Sequence, residues 1–180
     1  GEFILYSAVC GRIVPQTIEK YGGKYQRVRV GHSFMKNFMR KYHAVFAGEH
    51  SGHYYHRDFY NSESGVLTAL MVLQLLSHDG RKFSEIVDEL DVFPASGEIN
   101  FKVTDIAKSM QSIRDHFADA TSVDKLDGLS IWYKQFWINV RASKTEPLLR
   151  LNVEADTKDI LEQKTKEAVN LLESLGGKIQ

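Results

Sequence analysis

Three polar clusters in the sequence carry side chains able to do chemistry. The first, Gly48-Glu49-His50-Ser51-Gly52-His53, sets a carboxylate, a hydroxyl and two imidazoles around two glycines that permit a tight loop. Those donors and acceptors suit sugar hydroxyls, and an imidazole exchanges protons near neutral pH. The second, Arg141-Ala142-Ser143-Lys144-Thr145-Glu146-Pro147, offers an Arg fork, hydroxyls, a Lys and loop N–H groups, the set a phosphate dianion needs. Glu146 is expected to brace the arginine or the lysine from behind. The third, Gly31-His32-Ser33, falls at a strand-to-helix junction where helix N–H groups favour an anion, with Lys36 one turn along. Each has an ordinary structural alternative: a surface turn, a solvated loop with a capping Thr, and a helix cap. A zinc site from His50, His53 and His56 is disfavoured, because Tyr54-Tyr55-His56 reads as extended and odd spacings alternate between strand faces. Cys10 reads as a small core residue.

The elements that must hold these clusters change character along the chain. Phe3–Tyr6 and Tyr25–Val30 read as strands, separated by a helix from about Val14 that stops at Gly22-Gly23. A helix from Ser33 to about Tyr42 and a short strand, Ala44–Ala47, follow, so this half is α/β. Val66–Leu76 is apolar on nearly all sides and predicts a buried helix. Phe93–Gly97 reads as a linker. Beyond it come a strand (Ile99–Val103), a helix with Thr104 as N-cap, and a hairpin turning at Asp127-Gly128. Strands over Phe136–Val140 and Leu149–Val153 and a helix from Asp156 to Gly176-Gly177 complete an α+β half with helices on one face.

Lys plus Arg and Asp plus Glu both total 23, so a nucleic-acid binder's basic excess is absent and an anionic ligand needs a local cation cluster. The lone Cys10 excludes an intramolecular disulfide and suits a reducing compartment. The longest apolar run is too short to span a bilayer, and a cytoplasmic location with no membrane partner is expected. Gly1-Glu2-Phe3 enters an apolar strand without a lead-in, so a cut boundary or vector-derived scar is expected.

Together and in this order, Gly31-His32-Ser33, Ala44–Tyr55, Asp127-Gly128, Arg141–Pro147 and Ala155-Asp156 resemble the C-terminal half of the α-D-phosphohexomutases, the phosphomannomutase/phosphoglucomutase family. The resemblance implies that residues 1–93 are the family's third, α/β domain and 97–180 its fourth, a TATA-box-binding-protein-like α+β domain. It implies sugar binding by Glu49 and Ser51, histidines His32 and His53 close to the reacting sugar, and a clamp on the non-transferring phosphate from Arg141, Ser143, Lys144 and Thr145. The implied reaction interconverts hexose 1- and 6-phosphates of mannose or glucose, the sugar binding in either orientation. The family's phosphoserine, in a Thr-Ala-Ser-His-like loop, and its Mg²⁺, in an Asp-Gly-Asp-x-Asp-Arg loop, belong to the first two domains. Neither string occurs here, so this chain alone is expected to be inactive, to contain no Mg²⁺ ligands, and to have the missing N-terminal domains as partners. Val9 stands where some members place a phosphate-contacting Lys. His50, in the loop's variable position, leans towards mannose. The alternative is a stand-alone sugar-phosphate-binding or regulatory module without catalysis.

Overall fold

A continuous apolar run needs cover on both sides, and Phe3-Ile4-Leu5-Tyr6 obtains it at the centre of a mixed sheet. The computed structural model describes residues 1–143 and 146–180, which divide into two compact units, Gly1–Val92 and Phe93–Gln180. In the first, β1 (Phe3–Ser7) lies between β2 (Lys24–Val28) and β3 (Phe46–Gly48), both parallel to it. Antiparallel β4 (Tyr54–His56) and β5 (Ser62–Glu63) extend the sheet past β3. Helix α1 (Ile13–Lys20) joins β1 to β2, and α2 (His32–Tyr42) joins β2 back across β1 to β3. The two crossovers run in opposite directions along the sheet, and the right-handed rule for such connections assigns their helices to opposite faces. Met35 and Met39, one turn apart on α2, bury completely against Leu5, Ala44, Ala47 and Tyr55.

The apolar segment after β5 does form a helix, α3 (Gly65–Asp79), capped by the Ser64 hydroxyl on the Leu67 N–H, but it is not buried. Val66, Leu70 and Leu73 are 74%, 57% and 58% exposed. An apolar circumference calls for partners all round, and the described residues leave most of it open. Leu75, itself 54% exposed, lines a cleft of about 440 Å³ with Ile13 and Thr17 of α1 and Ile86 and Leu90 of α4 (Phe83–Leu90).

In the second unit β6 (Ile99–Lys102), β7 (Ser122–Asp124), β8 (Leu129–Trp132), β9 (Phe136–Ala142), β10 (Leu149–Ala155) and β11 (Lys178–Ile179) form one antiparallel sheet, ordered β11-β6-β10-β9-β8-β7. Helices α5 (Ile106–His116) and α6 (Lys158–Ser174) cover one face. Period-two alternation sends Phe136, Ile138, Val140, Leu149, Leu151 and Val153 into that core. The N-cap of α5 is Asp105, one residue beyond the predicted Thr104. Trp137, Asn139 and Arg141 point to the opposite face, directly across from Glu154, Asn152 and Arg150. The second face is therefore polar, and it runs towards the loop after β9. Residues of the predicted linker are bonded to it: the Ala155 N–H donates to Pro94 O, and the Ser96 N–H to Val153 O.

Candidate functional site

In the first unit, adjacent strands β1 and β3 continue in opposite directions, β1 towards β2 and β3 towards β4. A crevice opens at the carboxyl ends of such a pair, and open α/β sheets bind ligands there. The loop 48–53 closes on itself, the Glu49 N–H donating to His53 O (2.9 Å) and the Gly52 N–H to Glu49 O (3.0 Å). It is tied to the end of β1 by the His50 N–H, which donates to Ser7 Oγ at 3.2 Å. A cleft of about 320 Å³ lies alongside, lined by Tyr6, Cys10, Glu49, His50 and Tyr54 among others.

Glu49 is buried, and both its oxygens are engaged. Oε1 accepts from the Gly31 N–H at 2.9 Å, and Oε2 accepts from Tyr55 Oη at 2.6 Å. Tyr55 Oη also lies 3.0 Å from His32 Nδ1. Its hydrogen is committed to Glu49, so the network assigns the donor role in that second bond to His32 Nδ1–H. The Nε2 of His32 then carries the free lone pair. His53 is fixed in the same sense: its Nδ1 meets Glu63 Oε1 at 2.7 Å, leaving Nε2 outward. Glu63 Oε2 stands 3.5 Å from His32 Nδ1, and the two rings meet edge to face with centroids 6.5 Å apart.

The hydrogen bond to Glu63 holds the His53 imidazolium above its ordinary range, against a smaller opposing effect of desolvation. The same bond holds Glu63 below the usual carboxylate range. Burial, then the hydrogen bond to Glu49, pushes the Tyr55 phenol up, so Tyr55 stays a neutral donor. The structure thus brings His32, Glu49 and His53 together. Ser51 stands exposed at the loop's tip and Ser33 exposed in the first turn of α2.

Tyr55, the last residue of the Ala44–Tyr55 stretch, and Glu63, in a segment with no motif, belong to this network without having been singled out by the sequence. They face each other across the β4–β5 pairing, eight positions apart. The three histidines weighed for zinc separate: His50 and His53 are exposed, whereas His56 is buried with Nε2 2.9 Å from Thr68 Oγ1. Among the described residues no three His, Cys, Asp or Glu are grouped to hold a metal ion. Magnesium does not fit the carboxylates of this cluster either: the N–H and O–H donors of Gly31, Tyr55 and His53 face them, where an oxygen cage for the cation would need acceptors.

In the second unit Arg141 lies near the end of β9 with its side chain 9% exposed. Its Nη2 donates to Glu98 Oε2 at 2.9 Å, while its Nε, like that of Arg150, is buried without a hydrogen-bond partner among the described residues. The brace is therefore Glu98. Glu146, expected in that role, lies instead 3.5 Å from Arg150 Nη2, because the loop turns its side chain towards β10. Ser143 helps shape that loop, its N–H donating to Leu148 O and its Oγ accepting from the Glu146 N–H. Lys144 and Thr145 lie outside the described residues. Gly128 of the Asp-Gly turn packs directly beneath: a Cβ there would lie 2.4 Å from Val140 O and 2.5 Å from Arg141 Cβ, at a φ of +73°.

Comparison with known proteins fits both halves of this geometry. Residues 1–93 match the family profile "Phosphoglucomutase/phosphomannomutase, alpha/beta/alpha domain III", and 98–171 match its "C-terminal domain". A phosphomannomutase of Methanocaldococcus jannaschii is 44% identical over 172 residues, covering 96% of this chain and 38% of that protein. The chain thus spans well under half the length of this curated relative. A crystal structure of a phosphoglucomutase/phosphomannomutase family protein from Burkholderia thailandensis superposes with a TM-score of 0.83 at 25% identity, covering 99% of this chain and 39% of that one. An Aspergillus fumigatus N-acetylphosphoglucosamine mutase, solved with GlcNAc-6P and magnesium, shares the fold at a TM-score of 0.67 and 13% identity, over 97% of this chain and 39% of its own.

Proposed function

The chain belongs to the phosphoglucomutase/phosphomannomutase family, and on that premise we propose that it is the substrate-recognising part of a phosphohexomutase interconverting hexose 1- and 6-phosphates. The observation that carries this reading is the buried Arg141 guanidinium at the end of β9, its Nε unpartnered among the described residues. A buried cationic donor without an acceptor is costly, and a phosphate oxygen supplies the missing partner with a charge-assisted bond. Ser143 contributes its hydroxyl, and Lys144 and Thr145 complete the clamp on the non-transferring phosphate.

In this reading residues 1–93 form the sugar-binding domain and 97–180 the phosphate-binding domain. Glu49 and Ser51 take sugar hydroxyls. Each Glu49 oxygen keeps lone-pair capacity beyond the bonds it already accepts, and its fixed position gives the sugar a defined register. His53 presents Nε2 to the hydroxyl at the reacting end and moves its proton, while His32 Nε2 orients the same end. Glu63 keeps a proton on His53 Nδ1, so exchange occurs at Nε2 alone. A clamp that reads only phosphate geometry accepts the sugar either way round, which the exchange of 1- and 6-positions requires.

The phosphoserine and the Mg²⁺ are assigned to the portion of such enzymes that these residues do not include, so the chain alone transfers no phosphate. The magnesium supplies electrophilic charge to the transferring group when bound there. The name of the Methanocaldococcus relative and His50 in the loop favour mannose over glucose. A reducing, cytoplasmic setting fits the single thiol of Cys10, and among the described residues no helix is long and apolar enough to cross a membrane.

Isothermal titration of the chain with mannose 1-phosphate and glucose 1-phosphate tests the reading. Saturable binding that disappears in Arg141→Ala is expected. Absence of binding by the folded chain, or binding untouched in the variant, would refute recognition by these loops.

A further inference from the structure

The polar face of the second unit contains a pairing that the fold should avoid. Arg141 on β9 and Arg150 on β10 stand directly opposite each other in the antiparallel register, so both guanidiniums rise from one face at close range. Both are largely removed from solvent, with side-chain exposures of 9% and 22%. Like charges facing each other across a ladder destabilise it, and burial sharpens the repulsion.

One carboxylate resolves the conflict. Glu98 Oε2 accepts from Arg141 Nη2 at 2.9 Å, and Glu98 Oε1 lies 3.1 Å from Arg150 Nη1. Each oxygen therefore takes one guanidinium. Arg150 has a second counter-charge in Glu146; the Nε of each arginine is buried without a hydrogen-bond partner among the described residues, and that of Arg141 lies at the end of β9, next to the loop.

The backbone aims Glu98 at this point. The pairing of this segment with β10 runs through the bridge Ala95↔Glu154 and resumes at Ile99↔Leu151. Between those pairs β10 supplies two residues, Asn152 and Val153, and the facing segment supplies three, Ser96, Gly97 and Glu98. The extra residue is a β-bulge, and Gly97 within it has a φ of +68°. Bulges next to functional sites re-aim a side chain, and here the residue after the left-handed glycine is the carboxylate that joins both arginines. The apolar rows of the sheet need no such irregularity.

We infer that Glu98, backed by Arg150, is the positioning residue of the phosphate clamp: it fixes the plane of the Arg141 guanidinium by its Nη2 corner so that the Nε edge stays presented to a phosphate oxygen. The inference rests on the proposed phosphate-binding role of Arg141. It also separates positioning from simple charge. A carboxylate beside an anion site repels the anion, so deletion of its charge should tighten binding if charge alone mattered. If Glu98 acts by aiming Arg141, deletion weakens binding instead.

The test is titration of Glu98→Gln, Glu98→Asp, Arg141→Ala and the Glu98→Gln/Arg141→Ala pair with mannose 1-phosphate, with the Arg141 Nε–Hε resonance followed in ¹⁵N-labelled chain. Glu98→Gln is expected to raise Kd by about tenfold, to shift and broaden the Arg141 signal, and to add nothing once Arg141 is gone. Glu98→Asp keeps a negative charge between the arginines but is one methylene too short to reach both. It is expected to fold and to bind weakly, which keeps the test open should Glu98→Gln not fold. Unchanged or tighter binding in a folded Glu98 variant, or an equal Glu98→Gln effect without Arg141, overturns the inference. If the wild-type chain binds no sugar phosphate, the functional reading falls by itself. The Arg141 signal still judges Glu98, and an unaltered resonance in Glu98→Gln rejects its positioning role.

Discussion

The two units hold their polar groups in opposite states. Around the loop 48–53 almost every donor has an acceptor: Gly31 and Tyr55 on Glu49, His32 on Tyr55, His53 on Glu63. What this network leaves open is one nitrogen on each of two exposed imidazoles. At the end of β9 the reverse holds, since a guanidinium is buried, braced on one corner and, among the described residues, unpartnered at Nε. The first arrangement suits a weakly polar, variable ligand such as a sugar face, for which fixed geometry matters more than attraction. The second suits a compact anion, because the burial that makes an unpaired cation costly also strengthens its bond to an incoming charge.

The largest expected effect breaks the clamp through the turn beneath it. Gly128→Ala places a methyl within 2.4 Å of a backbone carbonyl, at a φ that L-residues avoid. A destabilisation of about 3 kcal/mol or more is expected from strain and displacement of β9 together. Chemical denaturation of the chain measures it, and a change below about 1 kcal/mol would mean that the turn is not tightly coupled to Arg141. Next in size is Tyr55→Phe, which removes the central donor of the first network and leaves a Glu49 oxygen short of a partner. A loss of about 1–3 kcal/mol is expected, with His32 no longer confined to one tautomer. Nitrogen chemical shifts of the His32 ring read that second effect directly. A ring that stays Nδ1–H in the variant would show that Glu63 alone sets the tautomer.

Much of this architecture is legible in the chain. Alternation along Phe136–Val140 and Leu149–Val153, the Asp-Gly turn and the i, i+4 methionines of α2 each correspond to an element that forms. The loops were visible because Gly, His, Ser and Arg cluster within a few residues. What supports them was not. Glu63 reaches His53 only through strand pairing, and Glu98 reaches Arg141 only through a bulge whose existence depends on registering β6 against β10. Glu146, near Arg141 in sequence, is the natural brace, yet it pairs locally, four positions along, with Arg150 instead. Helix α3 exposes the other limit. An apolar circumference records a need for burial without recording who supplies it, and the described residues leave Val66, Leu70 and Leu73 uncovered.

The smallest expected effect sharpens the comparison most finely, because it touches a charge without touching packing. Glu63→Gln keeps a hydrogen-bond acceptor for His53 Nδ1 and deletes the carboxylate that raises the His53 pKa. His53 is then expected to titrate lower, back towards its ordinary value of 6.5, as read from the ring Cε1–H shift across pH 5–9. The linkage signs follow from the two directions. A raised histidine contributes stability that is fully present below 6.5 and lost as pH rises through its folded value. A lowered carboxylate contributes stability present above 4.5 and lost as pH falls through its folded value. The pair therefore acts fully only between about 4.5 and 6.5, and the variant should flatten the pH dependence of stability at both edges of that window. Exposure keeps the amplitude small. An unchanged His53 titration in Glu63→Gln would mean that solvent screens the pair completely. The orientation of Nε2 would then rest on the hydrogen bond alone, and the two units would differ in burial but not in their use of charge.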